Sequence, residues 1–364
     1  MSNATEGRGT PGIPSLKNRV IPMKAKLASL NFLIQCQTEK HPPLEEETVS
    51  RDIGTRQIEM ISYAPRKRSS RCGSPILAVH GMSVLGNRDP RFVKVCRAMA
   101  GCGYRVLSPS IREVRDLVIT PRTITTLAHL IRAICADREM SPEGRLSLFA
   151  PSFSAGLCLA VASRRDIAPL VKSLCAVGAF GNVQTVIENL MGDPEADEYG
   201  RLILLKNFLP SSFRKSSALR LAFETAARDN GLQREEPQLP GYLNRLGIRE
   251  RRTFARLRED AGYRLLHWDR MSRRDSVRKM MSALSLHLTL KHIKASVTLI
   301  HGEKDNVIPS SESQNLFTRL RQENIPSRLV LTPLIGHGDA RIHPSLVGAL
   351  LELLAGFAFF FETL

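Results

Sequence analysis

A regular alternation of short apolar segments with helical patterns is the feature that most constrains this sequence. Apolar runs occupy residues 75–81, 104–110, 145–152, 296–305 and 327–333, and a loop and a helix-forming stretch follow most of them. Strands that alternate with helices build βαβ units, which pair into a parallel sheet. We therefore expect an α/β fold with a mostly parallel central sheet flanked by helices.

The alternation stops once, and this interruption defines the expected domains. Between 184 and 290 the chain contains only helical patterns with charged faces. A helical cap inserted into a continuing sheet explains this most simply. We assign 1–50 to a basic N-terminal extension, 51–183 and 291–364 to the α/β core, and 184–290 to the cap.

The charge balance predicts a partner class. Lys and Arg number 52 and Asp and Glu 35, a net charge of +17, which favours attraction to anionic surfaces. One Trp, five Tyr and no basic–aromatic motif argue against nucleic acid. The basic cap, the basic extension and the apolar C-terminal run together predict contact with an anionic membrane surface; a merely solvated cap surface is the alternative.

Cysteine usage and the apolar end of the chain bear on localisation. The seven cysteines lack paired spacing, which argues against disulfides or a zinc site and favours a reducing compartment. The final run, 346–364, is long enough to span a bilayer but contains Glu352, so we expect a buried last helix rather than an anchor. The predicted localisation is cytoplasmic, with peripheral attachment at the inner membrane surface as the alternative.

The run LSLFAPSFSAGLCL at 146–159 joins a strand to a helix through small residues. A serine nucleophile on such a turn needs small neighbours two residues before and after it, because the backbone packs closely there. Ser154 has Ser152 and Gly156 at these positions, whereas Ser152 has Ala150 and Ser154. We prefer Ser154 as the nucleophile; a helix N-cap serine is the alternative without chemistry.

Two later strand ends carry an acid and a base. Asp305 follows the strand that begins near 296, and His337 follows the next strand. The order Ser154, Asp305, His337 is the order in which a Ser–Asp–His triad occurs in one class of hydrolase. We prefer these residues over the other nearby candidates, which are His343, Asp339, Asp116 and Asp193.

The dipeptide His80–Gly81 follows the first parallel strand. We expect the backbone N–H of Met82 or Gly81, together with that of Ala155, to form an oxyanion hole. His80 is expected to support this loop, and the predicted pocket residues are His80, Phe153 and Ser152.

Together these motifs resemble the α/β-hydrolase superfamily: HG at 80–81, SFSAG at 152–156, HGEKDNVIP at 301–309 and GHGDA at 336–340. The resemblance covers about 51–183 and 292–364. It implies Ser154 as nucleophile, His337 as general base, Asp305 as the orienting acid, and a lid-like cap at 184–290. One departure is Ser152, which stands where the superfamily usually has the first glycine of the turn.

The expected activity is hydrolysis of a carboxylic ester or thioester, including lipid-like acyl substrates, through an acyl-enzyme. Transfer of the acyl group to another acceptor uses the same triad and stays open as an alternative, as does a non-catalytic binding protein. We expect no cofactor and no metal, because the sequence has no phosphate-binding glycine loop and no zinc-ligand spacing.

Overall fold

The computed structural model describes residues 21–66, 74–213, 216–286, 290–336 and 347–364. Eight strands form one sheet in the order β1-β2-β4-β3-β5-β6-β7-β8. β2 pairs antiparallel with both β1 and β4, and every other pairing is parallel. The strands are β1 (Leu44–Ile53), β2 (Arg56–Pro65), β3 (Ile76–Ala78), β4 (Val106–Pro109), β5 (Leu146–Pro151), β6 (Val171–Val177), β7 (Ser296–Gly302) and β8 (Ser327–Thr332).

Helices connect the parallel strands and cover both faces of the sheet, which confirms the predicted α/β class. They are α1 (Met23–Thr38), α2 (Pro90–Gly101), α3 (Arg112–Arg115), α4 (Arg122–Ala136), α5 (Phe153–Ala162), α6 (Val183–Gly192), α7 (Glu198–Phe208), α8 (Ser216–Leu232), α9 (Leu239–Leu243), α10 (Ile248–Glu259), α11 (Ala261–Ser272), α12 (Asp275–Leu284), α13 (Ser310–Gln322) and α14 (Val347–Glu362).

Both faces of the sheet are buried, and for this reason its central strands are mostly apolar rather than alternating. In β3, Leu77 packs into one hydrophobic cluster with residues of α4 and α5. Its neighbours Ile76 and Ala78 point to the other face, where α1, α2 and α14 pack. The carboxyl ends of the parallel strands therefore lie along one edge of a sheet that is packed on both faces.

The two ends of the described chain pack against each other. α14 buries Phe357 and Phe360, and Phe32 of α1 contacts the Phe357 ring with centroids 4.7 Å apart. The expectation of a buried last helix is confirmed. Among the residues described, none of the helices has both the length and the apolarity needed to cross a membrane.

The N-terminal extension differs from its prediction because part of it belongs to the sheet. β1 begins at Leu44 and pairs with β2 along its whole length, from Leu44 opposite Pro65 to Ile53 opposite Arg56. The acidic run EEE conceals the strand because β1 is an edge strand whose residues are mostly exposed or half-buried. Residues 44–50, assigned to the extension, are therefore part of the α/β layer.

Helices α6 to α12 lie between β6 and β7, the span that the sequence assigns to the insertion. Two buried guanidinium groups help to hold it together. Arg264 is 1% exposed and its side chain donates to the carbonyls of Met191 and Arg258. Arg201 donates to the carbonyls of Leu190 and Asp193. Carbonyl oxygens at the end of α6 accept hydrogen bonds from both guanidinium groups. These two charges are therefore buried with hydrogen-bond partners rather than without them.

Candidate active site

The junction between β5 and α5 is a sharp turn centred on Ser152. β5 ends at Pro151, α5 begins at Phe153, and Ser152 between them has φ 57° and ψ −136°. Its N–H donates to the carbonyl of Val177 over 2.6 Å, and its own carbonyl accepts from Ala155 over 2.8 Å. A positive φ in a residue with a β-carbon costs about 1–3 kcal/mol, and such strain concentrates at functional sites.

Ser154 does not lie at this turn, so the prediction that placed it there is wrong. It belongs to the first turn of α5, is fully buried, and donates its hydroxyl hydrogen to the carbonyl of His80 over 2.5 Å. Ser152 occupies the turn instead, with Ala150 and Ser154 as the small residues on either side. The role that the structure gives Ser154 is to hold the loop that follows β3.

Gly156 has a packing role that the motif concealed. A β-carbon at this position would lie 2.5 Å from the ring of Phe180, so no larger residue fits without displacing the ring. The Phe180 ring in turn stacks on the half-buried Phe153, with ring centroids 5.6 Å apart. The glycine therefore allows an aromatic pair to form beside the turn, and it is not the small residue of the turn itself.

Asp305 lies in the loop after β7 with its carboxylate 4% exposed. One oxygen, Oδ1, accepts the N–H groups of Val307 and Ile308, each over 2.9 Å. The other, Oδ2, lies 3.5 Å from Nε2 of His301. Two backbone donors on one oxygen fix the orientation of the carboxylate, which is what an acid that orients a catalytic histidine requires.

Gly178, just after β6, lies close to both this acid and the serine turn. Its φ is +63°, and a β-carbon there would lie 3.4 Å from Oδ2 of Asp305 and 4.0 Å from the backbone nitrogen of Ser152. The structure therefore places Ser152 and Asp305 next to the same glycine. Gly178 was not predicted as a site residue; its only signal in the sequence is its place at the end of the apolar run LVKSLCAVG.

The predicted base, His337, lies outside the described residues, as do its rivals Asp339 and His343. The described chain reaches 336 beside the acid loop, because the carbonyl oxygen of Ile335 packs against Gly302 at the end of β7. His337 stays a prediction from the sequence.

The two alternative acids are engaged elsewhere. Asp116 forms an ion pair with Arg112 over 3.4 Å, and Asp193 accepts the N–H of Glu195 at the end of α6. Asp305 is the candidate acid that the structure places beside the serine turn.

His80 supports the loop and is not a pocket residue, which corrects that part of the prediction. It is fully buried; Nε2 accepts the N–H of Ile111 over 3.2 Å, so Nδ1 carries the proton and donates to the carbonyl of Gly81 over 2.8 Å. Burial lowers the pKa of His80 to about 4. The ring is therefore neutral near pH 7, and its two nitrogens join the loop after β3 to Ile111, which follows β4.

The backbone donors near Ser152 differ from those predicted. The N–H of Ala155 already donates to Ser152, so it is not available to an oxyanion. Phe153 is the first residue of α5, and an N–H in the first turn of a helix has no acceptor within the helix. Gly81 lies alongside: a β-carbon there would be 3.8 Å from Cβ of Ser152. This places the Gly81–Met82 backbone at the same turn.

Helix α7 of the insertion contacts both loops of the site. The hydroxyl of Tyr199 donates to the carbonyl of Met82 over 3.2 Å, and the N–H of Asp197 donates to the carbonyl of Asn306 over 3.0 Å. Burial raises the pKa of Tyr199, which keeps its hydroxyl protonated as a donor. Tyr199 was not predicted, because nothing in the local sequence pattern shows that a helix of the insertion contacts the loop after β3.

An eight-stranded sheet in this order, with only the second strand reversed and a serine on a left-handed strand–helix turn, defines the α/β-hydrolase fold, as the resemblance implied. Among solved structures, an acylaminoacyl peptidase is 14% identical with a TM-score of 0.51; the match covers 91% of this chain and 42% of that one. A fungal esterase from Rhizomucor miehei is 11% identical with a TM-score of 0.52, covering 96% of this chain and 93% of that one. This chain thus spans less than half of the peptidase and nearly all of the esterase. No family model and no curated protein matches the chain.

Proposed function

We propose that the protein is a serine hydrolase whose nucleophile is Ser152. The observation that carries the proposal is the backbone of Ser152, a strained non-glycine residue at the carboxyl end of a central strand. The turn presents the half-buried side chain of Ser152 at the strand edge, beside the carboxylate of Asp305. A strained non-glycine residue at a strand–helix turn is the expected signature of a nucleophile on this fold.

The proposed mechanism is acyl transfer through a covalent intermediate. His337 removes the hydroxyl proton of Ser152 as the oxygen attacks the acyl carbon, and Asp305 orients the imidazolium that forms. The N–H groups of Phe153 and Met82 are the proposed donors to the oxyanion. His337 then protonates the leaving group, and water activated by the same histidine releases the acid and restores the serine.

For the substrate we propose a carboxylic ester or thioester with an apolar acyl group. The stacked rings of Phe153 and Phe180 and the side chain of Met82 give the surroundings of Ser152 an apolar character. The contacts of α7 with both site loops support a lid role for the insertion. Since the solved structures with this fold include a protein titled an acylaminoacyl peptidase, an acyl-peptide belongs in the substrate panel.

Labelling with a fluorophosphonate probe tests the nucleophile. The wild type and Ser154→Ala should label, whereas Ser152→Ala should not. Loss of labelling in a folded Ser154→Ala protein, with labelling retained in Ser152→Ala, would overturn the assignment. A panel of esters, thioesters and acyl-peptides of increasing chain length then tests the substrate class. Turnover that falls as the acyl chain lengthens, or turnover of the acyl-peptides alone, would contradict it.

A further inference from the structure

Helix α1 is apolar on two opposite faces, and only one of them is covered. The covered face packs against α14 and α2 through Ala25, Ala28 and Phe32. The opposite face carries a row of large apolar side chains that we call the α1 stripe. The stripe consists of Met23, Leu27, Leu30 and Ile34, which are 68%, 52%, 43% and 47% exposed.

The positions of the charges on α1 complement the stripe. At about 100° per residue, the spacing of four, three and four residues sets the stripe along one line of the helix. On the same geometry Lys24 and Lys26, both exposed, lie on the two sides of that line. The helix contains no acidic residue. An apolar line bordered on both sides by lysines is the pattern of a helix that lies in a membrane interface, with its lysine stems reaching up to anionic headgroups.

The neighbouring helix carries further exposed apolar side chains. Ser29 of α1 donates to the carbonyl of Leu354 over 2.7 Å, which sets α1 and α14 side by side. The exposed start of α14 adds Val347 and Leu351, each 59% exposed. Six of the twelve large hydrophobic side chains that are exposed in the described part of the chain thus lie on these two packed helices. Scattered exposed hydrophobics are ordinary, whereas a concentration of this kind marks an interaction surface.

We propose that the α1 stripe, with Val347 and Leu351, docks the protein onto an anionic lipid bilayer. The apolar side chains enter the interface, while Lys24 and Lys26 contact anionic headgroups. The net charge of +17 adds long-range attraction to the same surface. A second copy of α1 offers no acidic residue to these lysines, so charge complementarity favours the bilayer over self-association. The docking is independent of the proposed chemistry at Ser152.

Flotation of the full-length protein with phosphatidylglycerol–phosphatidylcholine vesicles tests the proposal. We expect the wild type to float with these vesicles, and binding to fall at least tenfold in Leu27→Gln/Leu30→Gln. Lys24→Glu/Lys26→Glu should weaken binding severalfold on anionic vesicles and leave the weak binding to pure phosphatidylcholine unchanged. Raising the salt concentration should reproduce the effect of the lysine variant.

The matched control is Leu265→Gln/Leu266→Gln in α11, which removes two exposed leucines from the insertion. It should float like the wild type, and an unchanged unfolding midpoint shows that each variant is folded. The proposal is overturned if the wild type ignores anionic vesicles, or if the α11 pair matters and the α1 pair does not. It is also overturned if light scattering shows a dimer that Leu27→Gln/Leu30→Gln dissociates.

Discussion

Replacing Ser152 with glycine should give a more stable protein than replacing it with alanine, and both changes should abolish the proposed activity. The backbone of Ser152 has φ 57°, a conformation that a residue with a β-carbon rarely adopts and that glycine adopts readily. Ser152→Gly and Ser152→Ala both remove the hydroxyl. The difference between the two variants therefore isolates the strain at the β-carbon from any contact that the hydroxyl makes.

The expected difference follows from two opposing effects. The strained conformation costs alanine about 1–3 kcal/mol, and glycine avoids this cost. Glycine loses more backbone entropy on folding, which offsets about 0.5–1 kcal/mol of the gain. We therefore expect Ser152→Gly to have a free energy of unfolding about 1 kcal/mol higher than that of Ser152→Ala.

Ser154 provides the matched control, because it lies two residues later inside the regular first turn of α5. There the order should reverse, since glycine in a helix is about 0.5–1 kcal/mol less stable than alanine. Urea unfolding of the four variants measures both differences. If glycine is less stable than alanine at both positions, then Ser152 is not strained and the argument for its role as nucleophile fails.

Three further predictions concern the neighbours of the turn. Gly178→Ala should slow fluorophosphonate labelling at least tenfold and lower the free energy of unfolding by about 1–2 kcal/mol, because alanine at positive φ is strained and its methyl contacts Asp305. Unchanged labelling would show that Asp305 does not act at the site. Gly156→Ala should lower stability by about 1–3 kcal/mol through its overlap with Phe180, a loss that Phe180→Leu should partly restore in denaturant unfolding. Burial lowers the pKa of His80 to about 4. As the pH falls below about 6.5, this histidine therefore takes up a proton in the unfolded state while it stays neutral in the folded state. The free energy of unfolding should therefore fall by roughly 3 kcal/mol towards pH 4. This slope should be absent from His80→Gln, and an equal slope in both proteins would contradict the buried neutral ring.

The sequence is sufficient to predict the layers of the fold but not its edge. The start of α2 is recognisable in the sequence, because Asp89 caps the helix and Pro90 is its first residue. Buried strands such as β3 are continuously apolar and stand out in the sequence. β1 is not recognisable, since an edge strand with most of its residues exposed or half-buried carries acidic side chains as readily as a loop does.

The location of the candidate site could be predicted from the sequence, but the serine that lies at its turn could not. Asp305 was identified from its place at a strand end, a property of the topology that a sequence records. The choice between Ser152 and Ser154 depends on where β5 ends. Gly156 was taken as the small residue of the turn, and this favoured Ser154, two residues after the serine that lies there. The glycine is required by the Phe180 ring, a contact between α5 and the segment after β6 that no local pattern reveals.

The pairing of α1 with α14 has a consequence for synthesis. The bond between Ser29 and Leu354 joins residues 325 positions apart, so α1 leaves the ribosome long before the helix that covers it exists. At about 5–20 residues per second the delay amounts to tens of seconds. Throughout this interval the α1 stripe and the part of α1 that α14 later covers are both exposed. Chaperones and a bilayer can therefore contact this helix before α14 is available to pack against it.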